Sequence, residues 1–476
     1  MKPYICSPAP RGFAAMVSRL ILRAFSRRGA SDRPSVSRPR CTPDTGAILK
    51  RCSELLRSMM FRPAILVLLG IALLGTSCKT FSSRIVSDPA PAAARLQAGG
   101  SIKDEVDRLA QPLIAKGEIY SMAVGVLAPD GSTSNFGYGL SGRPGDTQSP
   151  TGDDVFQVGS LSKLFVASVL AILVDEGQLH YEDTVRRILP PEIPLNKDIG
   201  DLTLQELVTH TGGLPRQPMG PTQMIYFARY LFTGHNLYGY IDKAYLYDYL
   251  RTRHIKPKGK REYVYSNIGV ALLAHLMEIK TGRSLPDLVE EKICRPLKMK
   301  DTTFYLNAGQ QKRQAVGHVG DQPKFVQRNT PMPSWDMGEI MRATGGLYST
   351  VNDLMIFARA NLGLLNLPLE TRLAETHQVQ LKTPDEDVAF GWLVNYYDND
   401  RVTLLYKHGM VSGYNGYIGL NVEKRIAVVV LTSNFNWTDK IGHNLLLRLS
   451  EGLPVRPPEL GSNLTPPTPS PRLSGE

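Results

Sequence analysis

Three short triplets, in chain order Ser160-x-x-Lys163, Tyr265-x-Asn267 and Lys407-x-Gly409, hold the residue types that nucleophilic chemistry on a carbonyl requires. They contribute one hydroxyl, two amines and a phenol able to move its proton, and an amide able to hold a substrate carbonyl. Residues three apart share a helix face, so a helix beginning at Ser160 sets Lys163 one turn below the hydroxyl. The positive end of the helix dipole favours negative charge developing there. Leu161, Leu164, Phe165 and Val166 flank the lysine; burial among them favours its neutral form, which is a base near neutral pH. Each triplet also has a plain alternative. Ser-x-x-Lys recurs by chance in a long chain. Asn267 can cap the helix that follows it, and Tyr265 can be a core aromatic. Lys407 can be a solvated residue at a strand edge, although Gly409 lets another backbone approach closely.

Elements at both ends of the chain must position these groups. Ser121–Leu127 and Ser132–Gly139 flank Pro129-Asp130-Gly131, a hairpin signal. Four strand-like runs follow much later: Val388–Tyr397, Val402–Lys407, Tyr414–Asn421 and Ile426–Thr432, with Val422-Glu423-Lys424-Arg425 joining the last two and a periodic helix around Lys440–Leu447. Between the ends the strong signals are helical, as in Leu161–Glu176 and Ile268–Lys280. The pattern predicts an α/β fold in which the two chain ends share one antiparallel sheet and a mostly helical region is inserted between them. The cleft between two such layers is a natural site.

The net charge of +11 is misleading as a guide to partners. Residues 1–58 hold twelve Lys/Arg against three Asp/Glu, a net +9, and the remainder carries only +2. The body is near neutral, so its composition gives no case for nucleic acid. Cys6, Cys41, Cys52, Cys78 and Cys294 include no Cys-x-x-Cys pair, and no His-Glu-x-x-His occurs. Neither a disulfide framework nor a metal or other cofactor is expected.

Arg62, the apolar run Ala64–Leu74 and Gly75-Thr76-Ser77-Cys78 have the layout of a secretory signal. The run is shorter than the roughly 20 residues that span a bilayer. Cys78 after small residues resembles a bacterial lipoprotein signal, in which that cysteine is lipidated, although Gly75 stands where the pattern prefers Leu or Val. Plain export or a signal anchor is the alternative. The expected layout is a basic leader at 1–58, read either as translated upstream sequence before a start at Met59 or Met60 or as an organelle transit peptide. It continues with a signal at 59–78, a linker at 79–103, a catalytic domain at 104–453 and a disordered tail at 454–476.

Together with four connecting stretches, the ordered triplets resemble the serine β-lactamase-related family of class C β-lactamases, low-molecular-mass penicillin-binding proteins and related esterases. The stretches are Phe156–Ser160, Thr209-His210-Thr211-Gly212-Gly213-Leu214-Pro215, Pro296-Leu297-Lys298-Met299 and Gly345–Thr350, and the similarity runs over roughly residues 104–450. The resemblance implies a sheet flanked by helices plus an all-helical domain. It makes Ser160 the acylated nucleophile, Lys163 the group that takes or relays its proton, and Tyr265 a partner base that then protonates the leaving group. Asn267 would hold the amide carbonyl of the substrate's side chain, and Lys407 would lower the Tyr265 pKa by its charge. The Lys407–Gly409 strand would bind substrate backbone, with the N–H groups of Ser160 and Met410 forming the oxyanion hole.

The third triplet admits a second register starting at His408, as in esterase-like members. Gly409 and Gly413 at two and six residues after Lys407 support Lys-His-Gly instead. That register puts His408 where a Thr or Ser usually helps to bind a substrate carboxylate. His210 is expected to be structural. The resemblance implies a serine hydrolase acting on D-alanyl cell-wall peptides at the periplasmic face of a bacterial membrane, without nucleic acid. A β-lactamase or carboxylesterase of the same family, or an anchored peptidoglycan-binding protein without catalysis, are the alternatives.

Overall fold

A computed structural model describes residues 101–257, 259, 261–384, 386–397, 402–436 and 440–451. All belong to the unit spanning residues 84–476. The expectations for the leader, the signal with Cys78, most of the linker and the tail lie outside the described residues. Helix α1 (Ile102–Ala115) takes in the last two residues expected as linker, because Ser101 and Asp104 close a capping box on its first turn.

The main sheet has seven antiparallel strands: β1 (Ser121–Leu127), β2 (Thr133–Gly139), β3 (Asp387–Val388), β4 (Leu393–Tyr397), β5 (Val402–Val411), β6 (Tyr414–Asn421) and β7 (Ile426–Thr432). Their order is β2-β1-β7-β6-β5-β4-β3. The two chain ends meet at the β1–β7 pair, in register Val124↔Val430. Every residue of β1, β6 and β7 is buried because both faces are covered. Met122, Val124, Val428 and Val430 share one core with Val106 of α1 and Leu445 and Leu446 of α6 (Lys440–Glu451). Ala123, Val429 and Leu431 share the other core with the helical region. This is the period-two alternation of a strand buried on both sides.

Two strand expectations change. The run 388–397 is broken into β3 and β4 by a turn closed by the Ala389 N–H on the Trp392 carbonyl (3.0 Å), with Gly391 at φ 81°. Only glycine adopts that conformation cheaply. In contrast, β5 runs four residues past the expected end at Lys407. Its neighbour β4 stops pairing at Tyr406. Lys407–Val411 therefore pairs with β6 on one side and with no strand on the other among the described residues.

Helix α2 (Ser162–Asp175) is buried all round from Ser162 to Leu173, as its unbroken apolar composition requires. Phe165 stacks on Phe357 of α5 (Val351–Asn361) at 4.6 Å between ring centroids. Helix α3 (Asn267–Thr281) and α4 (Gly338–Gly345) complete the walls around its N-terminus. Ser266, rather than Asn267, caps α3: its hydroxyl accepts from the Gly269 N–H at 2.9 Å. Among the described residues no helix is long and apolar enough to cross a membrane.

Candidate active site

Ser160 lies in a 3-10 turn, Gly159–Leu161, that leads into α2. The turn depends on Gly159, whose φ of 55° is strained for other residues, and on a close backbone approach by β5. A Cβ on Gly159 would stand 2.7 Å from the Met410 nitrogen, and one on Gly409 would stand 2.3 Å from the Val158 carbonyl oxygen and 2.6 Å from the Ser160 nitrogen. Two glycines thus let the backbone of β5 touch the nucleophile's turn, and they bring the nitrogens of Ser160 and Met410 into one small region.

Around the Ser160 hydroxyl the polar members converge. Lys163 Nζ is 3.0 Å from Ser160 Oγ, and the Tyr265 hydroxyl donates to the same oxygen at 2.8 Å. Lys163 also donates to the Thr344 carbonyl of α4 at 2.6 Å. Lys407 Nζ lies 5.2 Å from the Tyr265 ring centroid. Asn267 is buried at the start of α3, and its amide donates to the Tyr238 hydroxyl at 3.1 Å, which in turn donates to Gln217 at 3.1 Å.

The electrostatics divide the proton-carrying roles. Burial holds the Lys163 amine well below its ordinary pKa, and the charges of Lys407 and Arg216 push it the same way. A neutral amine beside the hydroxyl can accept its proton. Burial raises Tyr265 to about 12, opposed mainly by the Arg216 charge. Tyr265 is therefore a phenol with a proton to give, and the cation that most favours its phenolate is Arg216 rather than the expected Lys407. Lys407 itself is lowered to about 8 by burial, with Glu386 opposing the shift and Arg216 reinforcing it.

His408 pairs opposite Tyr417 while Lys407 pairs opposite Ile418, so the two side chains stand on opposite faces of β5. Burial, then the Lys407 charge, lowers His408 to about 3, and among the described residues its buried Nδ1 has no hydrogen-bond partner. The imidazole is neutral at physiological pH, so it offers a substrate carboxylate no charge. His210 is buried with its ring 4.5 Å from that of Tyr265, and its Nδ1 accepts from the Ser266 N–H at 3.2 Å. It braces the segment carrying Tyr265.

Four participants went unseen in the sequence: the Thr344 carbonyl, Tyr238, Arg216 and Glu386. A backbone carbonyl leaves no side-chain signal. Arg216 had one available signal, its place directly after the Gly212–Pro215 stretch. No cluster of three His, Cys, Asp or Glu suited to a metal occurs among the described residues. A cavity of about 740 Å³ lined by Arg143, Asp146, Gln314, Met332, Ser334 and Tyr414 includes none of the three triplets.

Comparison with known proteins gives the family and the fold. The chain is 28% identical over 374 residues to the D-alanyl-D-alanine-carboxypeptidase/endopeptidase AmpH of Escherichia coli K12, covering 74% of this chain and 90% of that protein. It is 26% identical over 294 residues to a beta-lactamase of Psychrobacter immobilis, covering 62% of this chain and 65% of that one. In fold it matches a class C beta-lactamase with a TM-score of 0.62 at 24% identity, covering 74% of this chain and 96% of the other. It also matches the D-alanine carboxypeptidase AmpC of Burkholderia cenocepacia with a TM-score of 0.60 at 23% identity, covering 72% and 98%. At such identities the structural matches speak for the fold alone. The Beta-lactamase family profile spans residues 106–451, most of the chain and all three triplets, and the protein is accordingly a serine hydrolase belonging to the Beta-lactamase family.

Proposed function

We propose that the protein hydrolyses D-alanyl cell-wall peptides through an acyl-enzyme on Ser160. The observation that carries this reading is the sharing of one oxygen, Ser160 Oγ, between the Lys163 amine at 3.0 Å and the Tyr265 phenol at 2.8 Å. In the proposed sequence the neutral Lys163 takes the Ser160 proton as Oγ attacks the scissile carbonyl. The N–H groups of Ser160 and Met410 stabilise the oxyanion. Tyr265 gives its proton to the leaving amine as the C–N bond breaks, and the Lys163 ammonium returns a proton to the phenolate. Water then cleaves the ester. The open edge of β5 at Lys407–Val411 is suited to pairing with an extended peptide as an added strand. Asn267, at the start of α3, holds a substrate amide carbonyl, and Lys407 supplies charge beside Tyr265.

The 28% identity to a carboxypeptidase/endopeptidase supports the substrate class. Export, and lipidation at Cys78, belong to the same proposal and rest on the apolar run 64–74 with small residues before the cysteine. Cys78→Ala should then move the protein out of the membrane fraction with its activity intact; a variant that stays membrane-bound contradicts the anchor. The substrate test is release of D-alanine from a D-Ala-D-Ala peptide by the purified protein and its loss in Ser160→Ala. Rapid penicillin hydrolysis without D-alanine release would make the protein a β-lactamase, and clean ester turnover without either would make it an esterase.

A further inference from the structure

Tyr265 is ringed by three basic side chains, and only two of them come from the motifs. Lys163 Nζ lies 5.1 Å, Lys407 Nζ 5.2 Å and the Arg216 guanidinium carbon 5.1 Å from the ring centroid. The two amines are poor sources of steady charge, because burial lowers Lys163 well below its ordinary range and Lys407 to about 8. A guanidinium differs: it keeps its charge over the working range of enzymes, sheds water more readily and stacks flat on aromatic faces.

The backbone around Arg216 is bound to the segment that carries Tyr265. The Arg216 carbonyl accepts from the Asn267 N–H at 2.8 Å, and the Pro215 carbonyl accepts from the Ser266 hydroxyl at 2.8 Å. Gln217 closes the third link through Tyr238 to Asn267. Residues 215–217 thus run beside 265–267, and this contact aims the Arg216 side chain across the Tyr265 ring.

We propose that Arg216 is a positioning residue for the acyl transfer: its guanidinium, set over the Tyr265 ring, holds the phenol in line with Ser160 and supplies the steady positive charge of the cleft. The inference rests on the acyl-serine reading above. The other titratable and charged groups facing this point are Lys163 of α2, Lys407 and His408 of β5, His210, Tyr238, Tyr263 and Glu386. His210 and His408 are kept neutral by burial. Glu386 accepts from the Tyr406 hydroxyl and acts on Lys407 and Tyr263. Without the Arg216 charge, Lys163 keeps its proton to higher pH and the Tyr265 phenolate loses its main support.

The test compares the full-length protein with Arg216→Gln, Arg216→Met and Arg216→Lys. It measures acylation by a fluorescent penicillin and turnover of an activated ester from acid to alkaline pH. Loss of the charge should move the acid limb of the acylation rate up by about one pH unit and lower its maximum about tenfold, with KM for the ester unchanged. Arg216→Lys should restore the position of the limb but not the maximum, since it returns charge without the broad, rigid guanidinium over the ring. Arg216→Met keeps the apolar stem over the ring and carries the test if the Gln variant does not fold. An unmoved limb in a folded, labelled variant overturns the role, whether the variant loses only thermal stability or only affinity for carboxylate-bearing substrates. A wild-type protein that takes no label overturns the acyl-serine reading itself.

Discussion

Adding a single methyl group at Gly409 should disable the site while leaving its polar side chains in place. The Cβ of Gly409→Ala would fall 2.3 Å from the Val158 carbonyl oxygen, 2.6 Å from the Ser160 nitrogen and 2.9 Å from the Leu161 nitrogen. All three are backbone atoms of the nucleophile's turn, so no side chain can swing away to make room. Restoring ordinary contact at about 3.4 Å requires β5 and the turn to separate by roughly 1 Å, and a misplacement of that size costs about 100-fold in rate. The expected loss in acylation is thus about 2.7 kcal/mol of transition-state stabilisation. Overpacking should add about 1–3 kcal/mol of lost stability. Second-order acylation by a fluorescent penicillin, with thermal melts on the same samples, separates the two effects. A folded Gly409→Ala protein acylating within about threefold of wild type would refute the close approach as the basis of the oxyanion site.

Further outcomes follow from the same geometry. Lys163→Ala should reduce acylation about 10²–10⁴-fold, the usual worth of a positioned base, and stopped-flow labelling that finds a smaller loss would assign the proton to another group. Lys407, lowered to about 8, is charged below that pH and neutral above it. Acylation, which draws on that charge beside Tyr265, should therefore fall as pH rises through about 8, and Lys407→Met should remove that limb; an identical profile in the variant would contradict the assignment. The buried Glu105–Arg448 pair, 2.6 Å apart and 1% and 2% exposed, links α1 to α6. Arg448→Ala removes one of the two guanidiniums on Glu105 and leaves Arg108 to pair with it, so it should cost about 1.5–3 kcal/mol, read as a denaturant midpoint shift, and a loss under about 0.5 kcal/mol would contradict it. Burial lowers His377 and His443 to about 4. Unfolding lets them bind protons nearer their ordinary 6.5, so stability is complete above that pH and falls as pH drops from about 6.5 towards 4. Equal melting temperatures at both ends of that window would refute the burial argument.

Strand boundaries were legible in the sequence wherever alternation and turn residues agreed. Ser121–Leu127, Tyr414–Asn421 and Ile426–Thr432 were read to the residue, since each is bounded by polar or glycine turns. The break at Gly391 was not legible, because a lone glycine inside an apolar run resembles one that simply packs closely. The extension of β5 past Lys407 was hidden for a related reason: His408, Gly409 and Met410 have weak strand propensity, and pairing with β6 overrides it. The polar triplets were visible because the chemistry needs particular side chains. Their supports were not. Thr344 reaches Lys163 through a carbonyl 181 positions away in the chain, and Glu386 touches the site through Tyr406 and Lys407. The cap of α3 was a choice the sequence left open for Asn267; the Ser266 hydroxyl takes it, and the Asn267 amide turns to Tyr238 instead.

Peptide mapping of the protein after brief exposure to penicillin tests the central claim most directly. A single penicilloyl adduct is predicted on the hydroxyl of Ser160, absent from Ser160→Ala. An adduct on Ser162 or any other residue, or none while D-alanine is still released, would contradict a mechanism built on that oxygen.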